Sequence, residues 1–220
     1  MIWIYKQFFL NKSLVVSSCI ALCLLIGSLM INFYAWQYAD ESQSNPVTDI
    51  ILSNTNTYDV DWFFLYGMIA FAVFIGVRCI RYPHQIPYIL KSLATFIVIR
   101  SIFISLTHIG PFPNGVAIDN TGLLWNFNFW ADLFFSGHTG MPFLMALIFW
   151  RHTIIRYIFI VSAVFFGIIV LLWHLHYSID VFAAFFITYS INHICELIWE
   201  WDHKHFQEYD SLIYPKKNTE

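Results

Sequence analysis

Six apolar segments divide this chain, at 14–36, 62–80, 88–109, 134–150, 154–173 and 177–199, and its basic residues fall on alternate sides of them. Lys6 and Lys12 precede the first segment. Arg78, Arg81 and Lys91 flank the second connection, Arg151 and Arg156 the fourth, and Lys204, Lys216 and Lys217 occupy the tail. The first, third and fifth connections carry no Lys or Arg; Arg78 and Lys91 lie within a turn of the ends of their segments, and of the 11 basic residues only Arg100 lies deep inside one. A helix of roughly 20 apolar residues crosses a bilayer, and Lys and Arg collect in cytoplasmic connections. The pattern therefore predicts an all-α integral membrane protein of six spans, with both termini cytoplasmic and residues 1–220 forming one domain. The fourth segment is the shortest, and its start is the least defined boundary.

Composition agrees with that architecture. With 59% hydrophobic and 11% charged residues the chain lacks the polar surface of a soluble domain. A net charge of −3 gives no basis for nucleic-acid binding. The first segment is too long for a signal-peptide core and lacks a small-residue cleavage site, so it reads as a retained anchor. Cys19, Cys23, Cys79 and Cys195 lie in or beside spans and form neither a disulfide framework nor a metal-ligand pattern. The first external connection, 39–61, is acidic and rich in Ser, Asn and Thr, a solvated loop with the character of a lid. The third, 110–132, opens on Gly110-Pro111-Phe112-Pro113. It then carries Trp125, Phe127, Phe129 and Trp130, which suit a headgroup-level aromatic belt.

The charge asymmetry places two reactive stretches on the same, outer face: Ser136-Gly137-His138-Thr139 and His176-Tyr177-Ser178-Ile179-Asp180. Four residues apart on a helix, His176 and Asp180 share a face, so the carboxylate can fix the imidazole tautomer and leave its other nitrogen reactive. His138 follows a small-residue turn leading into a helix, whose first backbone N–H groups suit an anion. Two histidines, one tied to a carboxylate, supply the nucleophile and the acid of a displacement at phosphorus. Arg100, costly inside a span, must face the bundle interior, where its guanidinium can fork onto phosphate oxygens or pair with Asp132 or Asp180. A zinc set of His138, His174 and His176 is disfavoured, because His174 and His176 point apart if both are helical. His174 then reads as a headgroup contact or as an interfacial residue without one. Along the sixth span Ala184, Thr188, Asn192, Glu196 and Glu200 recur every four residues, the mark of a face turned toward the bundle.

Asp132-Leu133-Phe134-Phe135-Ser136-Gly137-His138-Thr139 and His176-Tyr177-Ser178-Ile179-Asp180-Val181 together resemble the two motifs of the sphingomyelin synthase family, within the type 2 phosphatidic acid phosphatase superfamily. The stretch from Arg100 to Thr107, followed by Pro111 and Pro113, resembles a third motif with its prolines displaced by one residue. The resemblance covers the last three segments well and the third loosely. It implies that His176 attacks the phosphorus of a phospholipid such as phosphatidylcholine to form a phosphohistidine, and that Asp180 orients it. It implies that His138 protonates the departing diacylglycerol and then deprotonates a lipid hydroxyl such as that of ceramide. Arg100, Asp132, Ser136, Gly137, Thr139, His174 and Tyr177 would bind the substrate, with no metal or cofactor.

The phosphatases of the superfamily carry a Lys-x6-Arg-Pro motif and an arginine shortly before the second histidine. Neither occurs here, and that shifts weight from hydrolysis to transfer. Ala131 replaces the family's glycine, and the family's soluble N-terminal module is missing, as in a bacterial relative. Expected partners are a phospholipid donor, an acceptor such as ceramide or diacylglycerol, and the surrounding membrane lipids; the oligomeric state stays open. The expected location is a bacterial inner membrane with the site facing the periplasm, or a Golgi or plasma membrane in a eukaryote. The rival readings are a lipid phosphate phosphatase using water and a non-catalytic lipid-binding or scaffold protein.

Overall fold

A computed structural model describes residues 2–113 and 134–213, with side chains from Ile4 to Ser211 within them. Its helices are α1 (Ile2–Leu10), α2 (Lys12–Glu41), α3 (Asp61–Arg81), α4 (Ile86–Leu106), α5 (Gly137–Ile148), α6 (Thr153–Leu172), α7 (Ser178–Ile198) and α8 (Glu200–Ile213). Short 3₁₀ turns lie at Leu52–Asn54 and Pro83–Gln85. No strand occurs among the described residues. Five helices, α2, α3, α4 with its leading turn, α6 and α7, are long and apolar enough to cross a membrane. The segment expected at 134–150 is helical only over the 12 residues of α5, about 18 Å at 1.5 Å per residue. Ser136 caps α5 at one end, and the turn from Phe149 to His152 closes the other.

Helix packing follows the distribution of small and large side chains. The buried residues of α2 are Leu14, Ser17, Ala21, Ser28, Ala35 and Ala39, a seam of mostly small side chains that lets α2 lie close along α4. On α3 only Phe64, Phe71 and Arg78, at steps of seven, are buried, so most of its apolar surface faces outward as in a lipid-facing helix. The short α5 is the axis of the core, packed against α6 and α7. Leu144, Met145 and Phe149 join Phe96, Phe159, Ile191 and Cys195 in one cluster around it.

The helices define two ends. At one, α1 and α8 meet: Tyr5 Oη donates to Ile80 O, and the Tyr209 ring lies against His84. Lys91, counted above among the connecting charges, is instead buried there. Its Nζ donates to Asp202 Oδ2 at 2.6 Å and to Ser17 Oγ at 2.8 Å, joining α4, α8 and α2. The opposite end carries the connections 42–60, 107–113, 134–136 and 173–177. Here Ser44 N–H donates to His108 O and Gly110 N–H to Asn45 O. A Cβ on Gly110 would sit 2.2 Å from Ser44 O, so this backbone crossing tolerates only glycine.

Candidate active site

His176 and Asp180 meet through helix-terminus geometry rather than through helical periodicity. α7 starts at Ser178, so His176 precedes it while Asp180 lies in its first turn. Asp180 Oδ2 accepts the Tyr177 N–H at 3.0 Å, which curls the preceding residue back so that His176 Nδ1 lies 3.6 Å from the same oxygen. That separation slightly exceeds a hydrogen bond, as is common for catalytic contacts before substrate arrives. Asp180 Oδ1 is buried with no hydrogen-bond partner among the described residues. With Nδ1 toward the carboxylate, Nε2 of His176 is the ring nitrogen on the far side.

His138 comes from α5, and one backbone bond ties its helix to α7: Ser136 N–H donates to Asp180 O at 3.1 Å. Ser136 Oγ accepts Thr139 N–H at 3.4 Å and its hydroxyl at 3.3 Å, capping α5. The two imidazole centroids are 5.8 Å apart, close enough for one substrate phosphorus to lie between them. Phe64 of α3 closes the other side, its ring 4.6 Å from His138 and 5.3 Å from Trp173. Arg100 reaches the same place from α4. Its Nε donates to Phe135 O at 2.8 Å, setting the plane of the guanidinium. A Cβ on Gly137 would come within 2.9 Å of that nitrogen, so the missing side chain is what lets the cation lie over the first turn of α5. Arg100 is near enough to act electrostatically on both His138 and Asp180.

A loop docks beside this group, on the start of α7 and the end of α6. Asp49 Oδ1 accepts Ile51 N–H at 2.8 Å and Leu52 N–H at 3.0 Å. Its Oδ2 accepts Ser178 N–H at 2.7 Å and Ser178 Oγ–H at 2.8 Å. Asp180 takes the Tyr177 N–H from within α7, and Asp49 caps the next amide, that of Ser178, from 129 residues away. Burial works to raise the Asp49 carboxyl, but these hydrogen bonds outweigh it and hold the group below its usual range. Further along the loop, Tyr58 N–H donates to Leu172 O at 2.9 Å.

His174 anchors the loop rather than joining the histidine pair. α6 ends in a Schellman motif: Leu175 N–H reaches Val170 O, and His174 N–H reaches Leu171 O. His174 fills the left-handed position with φ 56°, where glycine is usual. Its Nε2 lies 3.3 Å from Thr55 Oγ1 and its Nδ1 3.2 Å from Thr57 Oγ1. Burial depresses its imidazole below the ordinary value, and the Asp49 charge offsets part of that effect. Tyr177 points the same way, its hydroxyl donating to Gly110 O and accepting from Val47 N–H. His138 is 7% exposed, His176 2% and Asp180 0%.

His138, His176, Asp180, Arg100, Ser136, Gly137 and Thr139 are thus brought together, whereas His174 and Tyr177 hold the loop. Asp132 and the aromatic belt lie outside the described residues. Among the described residues no three His, Cys, Asp or Glu side chains converge as a metal-ligand set. Asp49 enters this arrangement without a motif of its own, although an Asp two and three residues before backbone amides it can cap is a recognisable turn signal. No curated protein and no solved structure gives a significant match to the chain. Residues 131–197, which hold both histidines and Asp180, match the family model described as PAP2 superfamily C-terminal.

Proposed function

We propose that this protein is a lipid headgroup phosphotransferase that works through a histidine intermediate. His176 Nε2 attacks the phosphorus of a glycerophospholipid such as phosphatidylcholine, forming a P–N bond as the P–O bond to diacylglycerol breaks. Protonated His138 gives its proton to the departing oxygen. Neutral His138 then takes the proton of an acceptor hydroxyl, from ceramide or diacylglycerol, as that oxygen attacks phosphorus and releases His176. Asp180 orients His176 and balances its charge in the intermediate. Arg100 and the first-turn amides of α5 hold the phosphate oxygens. Asp132 is assigned to the same phosphate or headgroup. The site opens to the exoplasmic face, with α1 and α8 on the cytoplasmic side.

The observation that carries the transferase reading is burial. Water attacks such an intermediate wherever it can reach it, so transfer requires its exclusion; both imidazoles are buried, and the loop from Asp49 to Tyr58 docks on the adjoining Ser178 and His174. An apolar groove of about 320 Å³ between α3 and α6 includes Gly67 and Phe166, one helical turn from Phe64. A lipid chain lying in it would bring a headgroup toward His138 from within the membrane. The test is purified protein in vesicles with headgroup-labelled phosphatidylcholine, with and without ceramide or diacylglycerol. Acceptor-dependent labelled lipid is expected. Free phosphate from phosphatidic acid with no acceptor product would replace transfer with the phosphatase reading, and no turnover of any lipid would leave the non-catalytic one.

A further inference from the structure

At the end of the bundle opposite the histidines, α7 carries a second group of polar side chains to which the proposed reaction gives no role. Asn192 is 6% exposed, and its Oδ1 is buried with no hydrogen-bond partner among the described residues. Its Nδ2 donates to Glu196 Oε1 at 2.8 Å, and His193 Nδ1 lies 3.1 Å from Glu196 Oε2. A buried amide oxygen without a donor is an uncompensated cost unless a ligand supplies one. Asn192 and Glu196 line a cavity of about 390 Å³ enclosed by α7, α8, the start of α4 and the turn after α5. That volume falls within the roughly 300–1,000 Å³ usual for small-ligand sites.

The lining specifies a ligand. One wall offers acceptors, Asn192 Oδ1 and the Glu196 carboxylate. A second is aromatic: Tyr88, with Phe206 at 5.6 Å and His203 stacked on it at 4.8 Å. Such a combination suits an ammonium group, which donates to the oxygens while lying beside the aromatic wall. Arg151, on the turn after α5, adds a cation suited to a phosphate. Asp210, the remaining acid, is already engaged by His152 and Gln85. The rim carries Trp150 and Tyr189, each about half exposed, beside the outward apolar surface of Phe186 and Leu197. Aromatic residues in that setting mark the level of lipid headgroups.

We propose that this cavity binds the phospho-ammonium headgroup of a phospholipid in the leaflet facing away from the histidines, with a primary ammonium at Asn192 and Glu196 and the phosphate at Arg151. The inference does not depend on the reaction proposed above, because none of these residues belongs to that site. Native mass spectrometry of the detergent-purified protein tests it, using phosphatidylethanolamine, phosphatidylcholine and phosphatidylglycerol at equal concentration. Phosphatidylethanolamine should be retained best. Phosphatidylcholine has no N–H to donate and should follow, and phosphatidylglycerol, lacking the cation, should come last. Asn192→Leu and Glu196→Gln should each lower phosphatidylethanolamine retention roughly 10-fold or more without lowering the melting temperature. Should Asn192→Leu fail to fold, Glu196→Gln alone decides the question. Equal retention of the three lipids, or undiminished retention in Glu196→Gln, would overturn the site. Displacement by soluble phosphoethanolamine at the same concentration as the lipid would overturn its assignment to the membrane.

Discussion

Replacing Asp49 tests whether the 42–60 loop builds the site or merely decorates it. Its carboxylate holds four donors, two within the loop and two at the start of α7. Asp49→Ala removes a helix cap worth about 1 kcal/mol and leaves the buried Leu52 N–H without its acceptor, a further ~1–3 kcal/mol. The docked loop should therefore weaken by roughly 2–4 kcal/mol, or about 30- to 1000-fold in its closing equilibrium. Asp49→Asn keeps an acceptor on one side only and should fall between the two. Hydrogen exchange of the protein in nanodiscs, followed in peptides covering 49–58 and 174–180, reads this directly, since Asp49 is the acceptor found for the Ser178 N–H. Transfer to a lipid acceptor should fall in the same order, and the share of hydrolysed donor should rise as water gains access. Wild-type exchange at Ser178 in Asp49→Ala, or an unchanged ratio of hydrolysis to transfer, would refute this role of the loop.

Acidification should loosen the same loop. His174 in the docked state sits below the ordinary imidazole value of about 6.5. The open state therefore binds more protons, and docking is fully stabilised above about pH 6.5 and weakens as pH falls below it. Asp49, held below the usual carboxyl range, adds its own loss only below about pH 4. Protection of 49–58, with exchange corrected for its intrinsic pH dependence, should thus fall between pH 7 and 5, and His174→Gly, which keeps the left-handed turn, should abolish that loss; an identical protection profile in the variant would count against it. Gly137→Ala should displace the guanidinium of Arg100 and cut kcat at least 10-fold, as an oxyanion-stabilising donor would, with a melting temperature near wild type. Unchanged kcat there would remove Arg100 from the phosphate site.

The sequence reading was most successful where a property belongs to a single segment. Long apolar runs mark five helices to within a few residues, apart from the longer α2, and the two histidine motifs lie at the same end of the bundle. It was least successful where a role depends on a distant partner. Lys91 looked like a connecting charge because nothing nearby shows that Asp202 and Ser17 fold around it. The His176–Asp180 contact was ascribed to helical periodicity, whereas Tyr177 begins the helix and Asp180 pulls back the chain before it. Asp49 caps a helix 129 residues away, a contact no local pattern encodes. The left-handed turn after α6 is hidden, because His174 occupies the position where a glycine would have marked it. The fourth segment was overextended because Phe134, Phe135, Phe149 and Trp150 are apolar but lie outside α5.

The central claim is that His176 forms a covalent bond to phosphorus while His138 manages the proton. A single-turnover reaction with phosphorus-labelled phosphatidylcholine, quenched in base and digested, tests it most directly. Base-stable, acid-labile label should appear on the peptide containing His176, disappear in His176→Ala, and be lost from wild type when acceptor lipid is added. Label on another residue, or full turnover by His176→Ala, would contradict the account.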